Sequence, residues 1–358
     1  MWYGFSDTCG MREIIMSKKR IKYIIYILCT LMAAGLILSV VNRILLVKRE
    51  DGITETIQFY AQDKNTIDLL VVGSSHAGMN LDAGTFWNER GISSFMLWGS
   101  IQPFWNSYYM LKEALKTQQP KVVMLEVFAA SFFYDYSDDE RKIVNTAGMK
   151  PSLNKVQAVM ASTPKSKWLG LLFGYPGYHD RYKELGEKDF IYFPWSEGLK
   201  NQKGTAVRPE SGDITVEDCT DITWSEELHP KSEKYLRKII EYCQKNDVEL
   251  VLFATPLANR RDMQPFFNRV AEIADEYGVR FYNLNVMDEQ TGYTGDCMWN
   301  DGQHLNMKGA HLISSWLACE MDELYDLPDH RGDEKYDSWQ INYEEQSREY
   351  EEWLNANN

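Results

Sequence analysis

Two short stretches, far apart in the chain, carry the side chains that could do covalent chemistry: Gly73-Ser74-Ser75-His76 and Asp301-Gly302-Gln303-His304. A serine hydroxyl is a poor nucleophile until an imidazole takes its proton, and a carboxylate on the other ring nitrogen fixes the tautomer and stabilises the imidazolium. Ser75, His304 and Asp301 are the candidates for those three roles. Asp301 and His304 stand close enough to meet within one turn, although Asp-x-x-His is common and weak alone. Gly-Ser-Ser fits a plain polar turn at least as often as a catalytic one.

Rival chemistries fail on spacing. A phosphate loop needs Gly-x-x-x-x-Gly-Lys-Ser/Thr; Gly73 and Gly78 fit, but Met79-Asn80 stands where the lysine and hydroxyl belong. A nucleophile elbow of the α/β-hydrolase kind needs several strands before its serine, whereas this serine strand comes first. With no Cys-x-x-Cys or His-Glu-x-x-His, zinc is not expected, nor any other cofactor.

The elements that must position these groups follow from the apolar pattern. Ile67–Gly73 reads as a buried parallel strand that ends at a glycine turn, and ligands bind at that end of an open α/β sheet. Strands are further expected over Ser93–Trp98, closed by Gly99, and over Val122–Phe128, Val248–Ala254 and Val279–Leu284. Helices are expected over Phe104–Thr117, Ser232–Asn246, Met263–Tyr277 and Met307–Leu324. The alternation predicts an α/β, flavodoxin-like three-layer sandwich with a five-stranded parallel sheet in the order 2-1-3-4-5, which places the first strand's end at the topological switch point. Residues 129–230 break the rhythm with aromatics and glycines, as a cap over the site or a merely structural insertion. His179 and Arg181 lie there, and either grip a polar or anionic substrate group or form an ordinary salt bridge. His76 either faces the cleft or makes a structural hydrogen bond. Trp339, Tyr343, Gln346, Tyr350 and Trp353 form a helical stripe expected to pack on the domain.

Tyr23–Val41 is an uncharged apolar run, roughly 28 Å as a helix, which matches the thickness of a bilayer core. It reads as an uncleaved membrane span rather than a signal peptide, because no small-residue cleavage site follows. Lys18, Lys19, Arg20 and Lys22 before it give a modest bias toward a cytoplasmic N-terminus, so the main domain is expected outside the cell. Cys219, Cys243, Cys297 and Cys319 would then face the oxidising side, where three pairings are possible. The net charge of −14 argues against a nucleic-acid partner. The expected divisions are a cytoplasmic leader at 1–22, the span at 23–47, a polar connector at 48–62, the main domain at 63–325 with its insertion at 129–230, and an acidic aromatic tail at 326–358.

In these residues the chain resembles the SGNH, or GDSL-like, hydrolase and acyltransferase superfamily. Gly73-Ser74-Ser75 stands where that family has Gly-Asp-Ser, which implies Ser75 as nucleophile, and Asp301-Gly302-Gln303-His304 matches its Asp-x-x-His block. His304-Leu305-Asn306 with Gly309-Ala310, and His179-Asp180-Arg181-Tyr182, look like the membrane-anchored bacterial branch. Gly99 takes the second-block glycine position, so the backbone amides of Ser75 and Gly99 are the implied oxyanion donors, each about 3 kcal/mol if aligned. Ser74 replaces the usual aspartate, as in the branch resembling the D-alanyl transfer proteins of teichoic-acid synthesis. Leu125-Glu126-Val127-Phe128 lacks the third-block asparagine. The resemblance implies an extracytoplasmic serine esterase or O-acyltransferase acting on an ester of a cell-surface glycan or another acylated molecule, with a multispanning acyltransferase as a possible partner. The alternative is a non-catalytic scaffold of a surface-polymer acylation system.

Overall fold

Five apolar runs form one parallel sheet in the order β2-β1-β3-β4-β5, where β1 is Leu69–Gly73, β2 Ser94–Trp98, β3 Val122–Glu126, β4 Glu249–Ala254 and β5 Arg280–Asn283. The computed structural model describes residues 18–48, 51–136, 144–173, 179–196, 198–210, 212 and 214–357. The α/β class, strand number and order are those expected from the sequence. Strand side chains alternate between two layers. Leu70, Val72, Phe95, Leu97, Val123 and Leu125 enter one core, and Leu69, Val71, Met96, Trp98, Met124 and Phe253 enter the other. Both faces are covered, which is why the strands read as unbroken apolar runs.

The helices are α1 (Lys18–Leu45), α2 (Ile53–Ala61), α3 (Ser75–Met79), α4 (Ala83–Arg90), α5 (Phe104–Ala114), α6 (Leu153–Ser162), α7 (Lys165–Phe173), α8 (Glu187–Ile191), α9 (Pro230–Lys245), α10 (Arg260–Tyr277), α11 (Asp288–Thr291), α12 (Met307–Tyr325) and α13 (Asp337–Asn357). Helices α5, α9 and α10 cover the first core, while α4 and α12 cover the second. Helix α1 is long and apolar enough to cross a membrane, and its apolar window is not buried by protein.

Several boundaries move for local reasons. The expected connector contains α2, whose Ile53, Ile57 and Phe59 are buried. Gly52 starts it with φ +120, and a Cβ there would meet Gly99 Cα at 2.9 Å, so this turn needs glycine. Strand β3 stops at Glu126, because Phe128–Ser131 turns into a 3₁₀ helix. Helix α10 starts three residues earlier than expected, with buried Arg260 donating to Asp288 and to the Leu257 and Asn285 carbonyls. The five described cysteines are all free thiols.

The insertion spreads over several surfaces. Its helix α6 packs on α5, and Lys203 continues the sheet edge by accepting from Met96 N–H. Arg208, Gly212 and Glu217 bond by their backbones to Met307, Met298 and Ala258, and so rim the loops at the strand ends.

The tail stripe packs on the domain as expected. Trp339 is buried, its indole donates to Ser94 O (2.8 Å), and the buried Lys203 ammonium lies 3.5 Å from its ring centroid while donating to Ser338 and Gln62. Trp339→Ala should therefore cost about 3–5 kcal/mol, because it opens a large cavity and exposes a buried ammonium's packing face. The check is the urea midpoint; an unchanged midpoint would mean that α13 is a loose appendage.

Candidate active site

At the end of β1 the chain turns sharply at Gly73, where a Cβ would lie 2.5 Å from the Glu126 Cβ. Ser74 caps α3: its Oγ accepts from His76 N–H (3.3 Å) and donates to Glu126 Oε2 (2.6 Å), and its own N–H donates to the same oxygen (3.0 Å). The other oxygen of Glu126 accepts from Phe128 N–H. Ser74 is thereby sealed in the interior, while Ser75 stays half-buried at the sheet edge. Burial pushes the Glu126 carboxyl up, with the Ser74 and Phe128 hydrogen bonds opposing it.

The other half of the site comes from the loop before α12. Asp301 Oδ1 accepts from the N–H groups of Gln303 and His304 (2.9 Å each), which leaves Oδ2 to accept from His304 Nδ1 at 2.6 Å. That contact assigns the proton to Nδ1 and frees Nε2 to accept from the Ser75 hydroxyl at 2.8 Å. Partial burial works against the Asp301 charge, yet the His304 ring N–H and the loop amides outweigh it and hold the carboxyl below its ordinary range. The loop is pinned by Trp299 N–H to His304 O (2.9 Å) and by Ala258 N–H to Gly302 O (3.0 Å). Asn306 then caps α12 by accepting from Gly309 N–H, and a side chain on Gly309 would collide with Cys297 O. Those contacts give His304-Leu305-Asn306 and Gly309 their physical meaning.

A buried relay joins the two halves. Asn80 donates to Thr255 Oγ1 (2.7 Å) and accepts from Leu305 N–H (2.9 Å), and His76 Nδ1 meets the same threonine at 3.2 Å. His76 does not open to the cleft: it is buried, stacked on Phe128, with its ring 4.8 Å from that of His304. Burial and the neighbouring His304 push its pKa well down, so it sits neutral beside that ring.

Two other expected residues are placed differently. The Gly99 N–H donates to Gly73 O (3.3 Å), because β2 carries its ladder one residue past Trp98; this amide is spent on the sheet rather than free for an oxyanion. The Ser75 N–H, first in α3, has no acceptor among the described residues. Arg181 is not brought to Ser75 at all. Its guanidinium donates to the Ile44, Leu45 and Leu46 carbonyls at the end of α1 and to Asp189 (2.7 Å). His179 opens the 3₁₀ turn His179–Glu184 that carries this arginine. A cavity of about 520 Å³, lined by Asp82, Lys308, His311 and Tyr343, does not include Ser75 or His304.

No family model matches the sequence, and no curated protein matches it. Among solved structures, a protein from Bacteroides fragilis described as a putative acylhydrolase matches over 74% of this chain and 90% of its own, at 9% identity and a TM-score of 0.35. At that score the likeness carries no weight for the site, whose case rests on its own geometry.

Glu126, Asn80 and Thr255 escaped the sequence reading. Glu126 stands at the end of an apolar strand, and a carboxylate accepting three hydrogen bonds there is the signal that could have been sought. Glu126→Gln puts an amide N–H against one of those donors, so one buried donor loses its partner at about 1–3 kcal/mol. The urea midpoint should fall, and labelling of Ser75 by a fluorophosphonate should slow in protein that is still folded. Wild-type values for both would show that Glu126 does not hold the turn.

Proposed function

We propose that this chain is a membrane-anchored, extracytoplasmic serine esterase or O-acyltransferase that acts on an ester of a cell-surface glycan. The observation that carries it is the continuous hydrogen-bond chain from Ser75 Oγ through His304 to Asp301 at the carboxyl edge of a parallel sheet. The substrate class comes from the resemblance to the SGNH superfamily, and the anchor from the apolar helix α1.

In the proposed reaction Ser75 Oγ attacks the ester carbonyl as its proton passes to His304 Nε2, and Asp301 stabilises the imidazolium. The Ser75 N–H is the donor available to the developing oxyanion. Collapse of the tetrahedral intermediate expels the alcohol, which takes the proton from Nε2. The acyl group then passes from Ser75 to water or to a glycan hydroxyl, with His304 as base again.

A second reading keeps support from one observation. With the Gly99 amide bonded to Gly73 O and the third-block asparagine absent, two usual oxyanion donors are missing, as a non-catalytic scaffold of an acylation system would tolerate. A fluorophosphonate series separates the two. The wild type and Ser74→Ala should label; Ser75→Ala should not, and His304→Ala should suppress labelling. Asp301→Asn keeps an oxygen for the loop amides but turns an N–H toward Nδ1, so it should fold normally and lose up to about 10⁴-fold in turnover. Intact labelling in folded Ser75→Ala would overturn the assignment. A wild type that never labels, yet is required in cells for surface-polymer acylation, would favour the scaffold.

A further inference from the structure

The end of the apolar helix is not free. Arg181 Nη1 donates to the last carbonyls of α1, and Lys48 Nζ donates to Arg43 O and Leu46 O (2.6 Å each). Both cations share Asp189. They close the carbonyls that a helix C-terminus leaves unpaired and complement its dipole. The 3₁₀ turn His179–Glu184 and α8 both touch α1, and Leu46 shares a small core with Ile53, Ile57 and Leu199, against which Tyr192 packs.

This arrangement places a set of large side chains that the protein leaves uncovered. Tyr182, Phe190, Ile191 and Trp195 are all more than half exposed, Trp195 by 77%. If the apolar run ends at Arg43, the carbonyls gripped by Arg181 lie within about one helical turn, ~5 Å, of the hydrocarbon boundary, inside the headgroup zone. Aromatic rings with one polar edge are favoured at that depth. The segment 179–200 holds four Lys/Arg against five Asp/Glu, so any attraction to the bilayer must be apolar rather than electrostatic.

We propose that Tyr182, Phe190, Ile191 and Trp195 form a membrane-surface contact that seats the domain on the lipid headgroups beside its own anchor. The occupant of this face is the bilayer, and the inference rests on the reading of α1 as a span. Its consequence concerns the substrate. Only four residues lie between Leu46 and Asp51, so the two are joined by at most about 18 Å of chain. Asp51 O accepts from Ser100 N–H (2.9 Å), next to Gly99, whose amide bonds the Gly73 that leads to Ser75. A seated domain therefore holds the nucleophile within a few nanometres of the lipid surface, and favours an ester or acceptor carried on a membrane-resident molecule.

The full chain, with Cys9, Cys29 and Cys319 changed to serine, is reconstituted in vesicles of equal parts phosphatidylcholine and phosphatidylglycerol. A spin label is attached at Phe190→Cys or Trp195→Cys, and at Lys234→Cys, an exposed position of α9, as control. The labels at 190 and 195 should collide several-fold more with oxygen, relative to a water-soluble nickel chelate, than the label at 234, and this should persist in high salt. Equal exposure at all three positions in retained protein overturns the contact, whether or not the site is catalytic. Shielding from both reagents with dipolar broadening between labels would assign the face to a second copy and overturn it too. Protein washed off the vesicles by carbonate would overturn the span reading and the contact with it. In a triple variant, Phe190→Ser with Ile191→Ser and Trp195→Ser, hydrolysis of soluble p-nitrophenyl acetate should be unchanged. Hydrolysis of a short-chain ester carried on a vesicle lipid should fall about tenfold; an equal effect on both esters would contradict the proposal.

Discussion

The three hydrogen bonds that Glu126 collects from Ser74 and Phe128 fix the turn on which the rest of the site depends. They lock Ser74 inward, so that Ser75 is the serine that emerges at the start of α3 within 2.8 Å of His304. The geometry requires glycine at position 73, since any side chain there would overlap the Glu126 Cβ. It also requires Glu126 to be the last residue of β3, next to β1 in the sheet. A buried carboxyl costs free energy unless it is hydrogen-bonded, and here its partners are backbone and serine groups that would otherwise be unsatisfied.

A parallel sheet brings together residues that are remote in sequence. Ser75 follows the first strand and His304 precedes α12, yet both reach the carboxyl edge because every strand points the same way. Fine positioning is left to polar groups under that edge. Asn80 reaches from the serine helix to the Leu305 amide, and Thr255 at the end of β4 ties Asn80 to His76. A neutral, buried His76 beside His304 completes this layer without adding a charge to it.

The strands were legible because burial on both faces leaves runs such as Leu69–Val72 wholly apolar, and their alternation with helices sets the order of the sheet. Ser75, Asp301 and His304 were legible as types at suitable spacing, and their meeting in space required the fold. Polar positions misled. Residues 53–61 carry polar Thr54, Glu55, Thr56 and Gln58 yet form a helix with buried Ile53 and Ile57, because Glu55 and Thr56 bond back to Gly52 at its start. Arg181 carries the kind of charge a substrate would use, but its partners are main-chain carbonyls of α1, which leave no trace in the sequence. The Gly99 amide is likewise a backbone matter: one further ladder bond to Gly73 decides whether it is free.

If Ser75 is a nucleophile activated by His304, the acyl-enzyme can be trapped. Mixing the protein with p-nitrophenyl acetate should release a burst of nitrophenol equal to the enzyme present, and acid quenching followed by peptide mapping should find one acetyl group on Ser75. Turnover without a burst, or an acetyl group on Ser74 with Ser75 unmodified, would contradict it.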